Sequence, residues 1–110
     1  MLVDRKEFKD KDGSLGYVES VFTSDNILKT IYFNKSKKLY ISFSRGGTYS
    51  YTNFTQEKFN EMEKSDSQGV FFHKKINKCS DHYCSKEFNL LPDEITEIRN
   101  IIAENTEEDD

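Results

Sequence analysis

The chain has 110 residues, a formal net charge of −4, 35% hydrophobic residues and nine phenylalanines. That suits one ordinary domain around one compact core. No apolar run is long enough to span a bilayer, no leader-like segment opens the chain, and Cys79 and Cys84 cannot make a disulfide framework. The sequence is therefore read as a soluble cytoplasmic protein with reduced thiols and no membrane partner.

The charge is unevenly spread. Residues 21–78 carry ten Lys or Arg against five Asp or Glu, whereas residues 79–110 carry two against ten. A basic middle joined to an acidic end is the pattern a function must explain.

Residues 1–16, "MLVDRKEFKDKDGSLG", are charge-rich and close on glycines, which predicts a loose N-terminal arm pinned by Val3 and Phe8. "YVESVF" alternates weakly and reads as a short strand before the turn "TSDN". "ILKTIYF" (27–33) and "KLYISFS" (38–44) are strand candidates, the second with Leu39, Ile41 and Phe43 on one face. "NKSK" links them as a hairpin, and Arg45-Gly46-Gly47 leads into the strand "TYSYTN".

The period changes at Phe54. Thr55 is placed to cap a helix from about Gln56 to Ser65, with Phe54 and Phe59 at the positions of a hydrophobic staple. Phe59 and Met62 face inward, and Gly69 is expected to break that helix. "VFFHKKI" reads as a second short helical piece, and residues 77–89 as loop. Pro92 opens a third helix with Ile95, Ile98 and Ile102 as its apolar stripe. "ENTEEDD" is a like-charged tail expected to be disordered. The expected fold is α+β: a small antiparallel sheet of three to four strands against two to three short helices. Phe43, Phe54, Phe59, Met62 and Phe72 are the expected core.

In order, "TSDN", "TIYF", "LYISF", "GGTYSY", "EKFNEM" and "SQGVFFHKKI" resemble the KTSC domain family over about Phe22 to Asn77. That small domain stands alone in bacterial and phage proteins and at the C-terminus of some lysyl-tRNA synthetases. This chain departs from the pattern at Thr55, where the family has proline, and at His73, where it has asparagine. The resemblance implies a fold and a binding role, with nucleic acid as ligand by association with the synthetase. The domain organisation then reads as an arm (1–16), a KTSC-like core (17–78), a loop and helix packed on it (79–104) and an acidic tail (105–110).

Tyr49 and Tyr51 lie two apart, so on a strand they share a face. A three-residue loop, Arg45 to Gly47, would set Tyr49 opposite Phe43 and Tyr51 opposite Ile41, on the apolar face. A two-residue loop would set both on the opposite, polar face. The pair reads as core rings with hydroxyls at the core's edge, as a stacking platform for bases that Tyr40 and Tyr32 could extend, or as a composite with buried rings and hydroxyls exposed at the sheet's end. Lys35, Lys37 and Lys38 cluster on the first hairpin, and Lys74, Lys75 and Lys78 follow "GVFF". Such lysines either solubilise strand edges or meet phosphates. Four soft ligands, His73, Cys79, His82 and Cys84, lack a Cys-x-x-Cys knuckle, so neither metal nor cofactor is expected. No phosphate-cradling or metalloprotease motif is present, so no enzyme is expected.

The candidate ligand-binding residues are Arg45, Tyr49, Tyr51, His73, Lys74, Lys75 and Lys78. The expected function is a non-enzymatic module contacting RNA or single-stranded DNA. The alternative is a phage or mobile-element protein that binds a host protein or nucleic-acid machine, with the acidic C-terminal region contributing.

Overall fold

A computed structural model describes residues 1–23, 26–77 and 82–106. The elements run β1 (Leu2–Lys9), β2 (Leu15–Phe22), β3 (Ile27–Phe33), β4 (Lys38–Phe43), β5 (Gly47–Tyr51), α1 (Gln56–Lys64), α2 (Gln68–Phe71), a π-helical turn (Phe72–Ile76), β6 (Cys84–Asn89) and α3 (Pro92–Thr106). All the strands belong to one antiparallel sheet in sequence order, β1 to β6. The architecture is α+β, but with six strands among the described residues rather than three to four.

The two extra strands are the sheet's edges. The expected loose arm is instead β1, paired along β2 from Leu2↔Phe22 to Lys9↔Leu15 with two irregularities. The expected loop at 77–89 contains β6, paired with β5. Both edges carry charge and bulges, which blunt further strand addition.

Alternation along the central strands gives the sheet two apolar faces. On the front face Val18, Phe22, Tyr32, Leu39, Ile41 and Tyr51 meet Phe54, Phe59, Met62, Phe71 and Ile76 from the α1, α2 and π-turn segment. On the back face Val21 and Leu28, with Val3 and Leu90 at their margin, meet Ile95, Ile98, Ile101 and Ile102 of α3. Pro92 does open α3, and its predicted apolar stripe is the buried one. Among the described residues no helix is long and apolar enough to cross a membrane.

α1 forms where its capping signals place it. The Thr55 hydroxyl accepts the Lys58 N–H at 3.2 Å. Phe54 and Phe59 are fully buried, and each packs its ring on Tyr32. Chain direction changes at Ser65, whose ψ of 142° leaves the helix, so the break precedes Gly69, which lies inside α2. The carbonyls freed at that break are met by Gln68. Its buried amide donates to Met62 O at 3.0 Å and Ser65 O at 2.9 Å. Its amide oxygen accepts the Met1 ammonium. The edge strand β1 is tied to α1 by Arg5 Nε to Glu63 at 3.0 Å, and the Ser20 hydroxyl donates to the same carboxylate at 2.7 Å.

Helix α3 continues through Thr106, so the first part of the expected tail is helical. Residues 107–110 lie outside the described residues, as do Ser24, Asp25, Lys78 and Cys79.

Candidate nucleic-acid interface

The β4–β5 register decides where the tyrosines point. Ser42 pairs with Thr48, Ile41 with Tyr49 and Leu39 with Tyr51. Both tyrosines therefore face the apolar front, the outcome expected of a three-residue loop. The ladder is slid by two residues, however, so Tyr49 sits opposite Ile41 rather than Phe43. Inside this longer connection the Gly46 N–H donates to Phe43 O at 2.8 Å. Gly46 has φ 97°, and a Cβ there would lie 3.3 Å from both Ile95 Cδ1 and Leu90 O. Glycine is thus required twice over, by backbone conformation and by the close approach of the segment leading into α3.

Sharing a face does not give the two tyrosines the same surroundings. Tyr51 is 5% exposed. Its ring meets Phe72 edge-on at 5.8 Å. Tyr51 pairs with Cys84 across the β5–β6 ladder. Burial, then Cys84, then Tyr49 all push its pKa upward. Tyr51 is core. Tyr49, nearer the end of the sheet, is half-buried. Its ring packs edge-on against Phe43 at 5.7 Å and overhangs Gly47, where a Cβ would sit 3.2 Å from the ring.

Phe72 completes the wall. The π-helical turn, closed by the Asn77 N–H donating to Phe72 O at 2.8 Å, directs this ring inward. It lies 5.3 Å from Phe43 and edge-on to it. Phe43 and Phe72, expected as core, are therefore only half-buried, because they form the floor of a cleft. Its volume is about 450 Å³. Arg45 and His73 stand among its lining residues with Asn26 and Ser44. A second hollow of about 380 Å³, with Thr23, Asp66 and Ser67 in its wall, shares Asn26 and His73 with the first.

The candidate residues thus separate. Arg45, Tyr49 and His73 converge on the cleft. Lys74 and Lys75 are exposed on the π-helical turn beside it. Tyr51 lies beneath, and Lys78 falls outside the described residues. Among the described residues Arg45, Lys74 and Lys75 have no ion-pair partner. Of the other platform candidates, Tyr32 is fully buried and donates to Phe54 O at 2.6 Å, and Tyr40 belongs to the back face. Phe43, Phe72 and Asn26 were missed as site residues, since an apolar alternation marks rings as core without saying how deeply they sit.

Among the described residues of the histidine–cysteine segment, the two histidines lie apart. His73 is at the cleft, whereas His82 stacks on Phe54 at 5.0 Å. His82 Nδ1 contacts Thr52 O at 2.8 Å, and its Nε2 contacts Lys58 Nζ at 2.6 Å. Cys84 is exposed on β6.

An aromatic-floored hollow with a cationic rim can take a planar ring and hold an anion attached to it. Every residue that lines the larger cleft falls between 26 and 73.

No curated protein matches the chain. A crystal structure of the KTSC domain protein YPO2434 from Yersinia pestis is similar, with 26% identity and a TM-score of 0.59, covering 64% of this chain and 96% of that one. The KTSC domain profile matches residues 23–79, the segment that runs from the end of β2 to the end of the π-helical turn and contains the whole cleft. The chain belongs to the KTSC domain family.

Proposed function

We propose that this protein is a cytoplasmic, non-enzymatic binding module that takes a base of RNA or single-stranded DNA into the cleft between Phe43, Tyr49 and Phe72. The cleft itself carries the reading. Its volume of about 450 Å³ admits a nucleoside, its floor is aromatic, and Arg45 and His73 stand at its lining. Base–aromatic contact tolerates any sequence because each base offers a π-face. Arg45 supplies a planar donor fork suited to phosphate oxygens. Lys74 and Lys75, exposed on the adjoining turn, extend positive charge along a backbone leaving the cleft.

The test is fluorescence anisotropy with labelled eight-nucleotide oligo-U and oligo-dT at about 50 mM salt. The expected result is binding that falls at least tenfold in Tyr49→Ala and in Arg45→Glu, while Lys64→Glu, on α1, leaves it unchanged. Wild-type protein that ignores both oligonucleotides at this salt overturns the reading.

A further inference from the structure

The back face carries a second feature that the cleft does not use. Phe8, Tyr17, Phe33 and Tyr40 form a row across four adjacent strands, β1 to β4. Successive ring centroids are 4.5, 5.2 and 5.8 Å apart. Among the described residues, the apolar cluster beneath α3 takes in Val3, Val21, Leu28 and Leu90 but none of these rings. The helix covers one end of the back face, and the row occupies the other. All four rings are half-buried.

The charges beside the row are not balanced. Lys35 is held by Asp10 at 2.6 Å, and Asp12 accepts from Ser14. Of the other carboxylates on this face, Glu19, two residues from Tyr17 on β2, is paired with Lys29, and Glu87 accepts from Ser50 beside Tyr40. Lys38 stands over the Tyr40 ring at 5.4 Å, and neither it nor Lys37 has an acidic partner among the described residues. The unpaired positive charge is at the β3–β4 hairpin end of the row, so the complementary occupant of that end is acidic.

Ring geometry then selects between two acidic classes. A nucleobase stacks on an open aromatic face. Here Phe8 and Tyr17 are parallel within 12°, Tyr17 has Phe33 on its other side, and Phe33 meets Tyr40 at 73°. Neighbouring rings occupy the inner faces, and Lys38 occupies the face of Tyr40. What the row offers is ring edges, whose hydrogens carry partial positive charge and attract carboxylate oxygens. Three strand spacings span about 14 Å, the length of roughly four extended residues.

We propose that the Phe8–Tyr17–Phe33–Tyr40 row docks an acidic peptide segment of a partner protein. Its apolar side chains lie along the ridge, and its carboxylates meet Lys37, Lys38 and the ring edges. Phe8 and Tyr17 lie outside the KTSC-matched residues 23–79, so the row is assembled by joining two further strands to the family core. The site is independent of the cleft, which opens on the front face.

Amide chemical-shift mapping on the full chain tests this. The probe is an eight-residue peptide alternating glutamate with leucine. The controls are its lysine–leucine counterpart and oligo-dT. The acidic peptide should shift Phe8, Tyr17, Phe33, Tyr40 and Lys38. Lys37→Glu combined with Lys38→Glu, with the amide shifts of the front face unchanged as the check on folding, should weaken binding at least tenfold. The idea fails if the row does not respond, if the lysine–leucine peptide binds as well, or if the charge reversal has no effect. A row that responds to oligo-dT instead would make it a nucleic-acid surface and overturn the peptide assignment. Oligo-dT shifts confined to Arg45, Tyr49 and His73 report on the cleft alone and leave the row to the peptide arms.

Discussion

Tyr32 on β3 lies flat against Phe59 of α1, with ring centroids 4.5 Å apart and planes 14° from parallel. Both residues are fully buried, and the Tyr32 hydroxyl reaches past the stack to Phe54 O at 2.6 Å. This contact fixes α1 on the front face and sets the entry to the segment that ends in Phe72 and His73. Phe59→Ala should destabilise the fold by about 3–4 kcal/mol, through lost burial and the cavity left behind. Phe59→Leu, which refills much of the space, should cost clearly less. Urea midpoints for the two variants decide it, and equal midpoints would sink the claim that the ring is a core element.

Alkaline pH should unfold the protein through the same residue and Tyr51. Burial raises the pKa of Tyr32, and burial, Cys84 and Tyr49 raise that of Tyr51. Unfolded tyrosines ionise near pH 10 (about the model-peptide value). Below that pH both states keep the phenol proton and the stabilising contribution is complete. Above it the unfolded state releases protons that the folded state retains, so stability falls as pH rises. Urea midpoints should be flat from about pH 7 to 9 and decline beyond about pH 10. Tyr51→Phe should reduce the decline, and Tyr32→Phe should reduce it while costing about 1 kcal/mol at neutral pH for its lost hydrogen bond. A decline of unchanged steepness in both variants would assign the effect elsewhere.

These two tyrosines also mark how far the sequence could be read. The clean alternation of "KLYISF" and the Thr55 cap determine β4 and α1, because period and capping are local properties. The odd number of residues in the β4–β5 connection settles which face Tyr49 and Tyr51 share. The two-residue slide that separates a half-buried Tyr49 from a buried Tyr51 goes with the close approach of Gly46 to Ile95 and Leu90, far along the chain, which no local pattern encodes. β1 was illegible for a related reason. Most of "LVDRKEFK" is charged, since an edge strand keeps one side in water, and it is a strand because β2 offers it a ladder. The π-helical turn that aims Phe72 at the cleft has no local signature to distinguish it from an ordinary helical turn.

One buried hydroxyl offers a simple stability gain. Thr30 is fully buried on β3, and its Oγ1 has no hydrogen-bond partner among the described residues. An unpaired buried hydroxyl costs about 1–3 kcal/mol, and valine has nearly the same shape. Thr30→Val should raise the unfolding free energy by about 1 kcal/mol, seen as a melting temperature higher by roughly 4 °C. A lower melting temperature would mean that the hydroxyl is satisfied in solution.

The charge asymmetry gives the sharpest test of the cleft. Lys74 and Lys75 have no ion-pair partners among the described residues, and the chain ends in the four carboxylates of 107–110, which lie outside the described residues. If lysines contact phosphates, binding releases counterions, and log K falls with log salt by about 0.7 per phosphate on a single strand. Lys74→Glu with Lys75→Glu should weaken oligo-U binding at least tenfold and flatten that slope by about 1.4. Tyr49→Ala should weaken binding without changing the slope, because it removes ring contact and no charge. Deleting residues 107–110 should tighten binding at low salt, since those carboxylates compete with phosphate for the same lysines. The gain should vanish above roughly 0.3 M, where screening acts within a few ångströms. A partner protein engaged through the acidic end would give the reverse: truncation weakens association, and the lysine pair has no influence. Salt titrations of the four proteins distinguish these outcomes, because a charge effect bends with ionic strength and a ring effect does not.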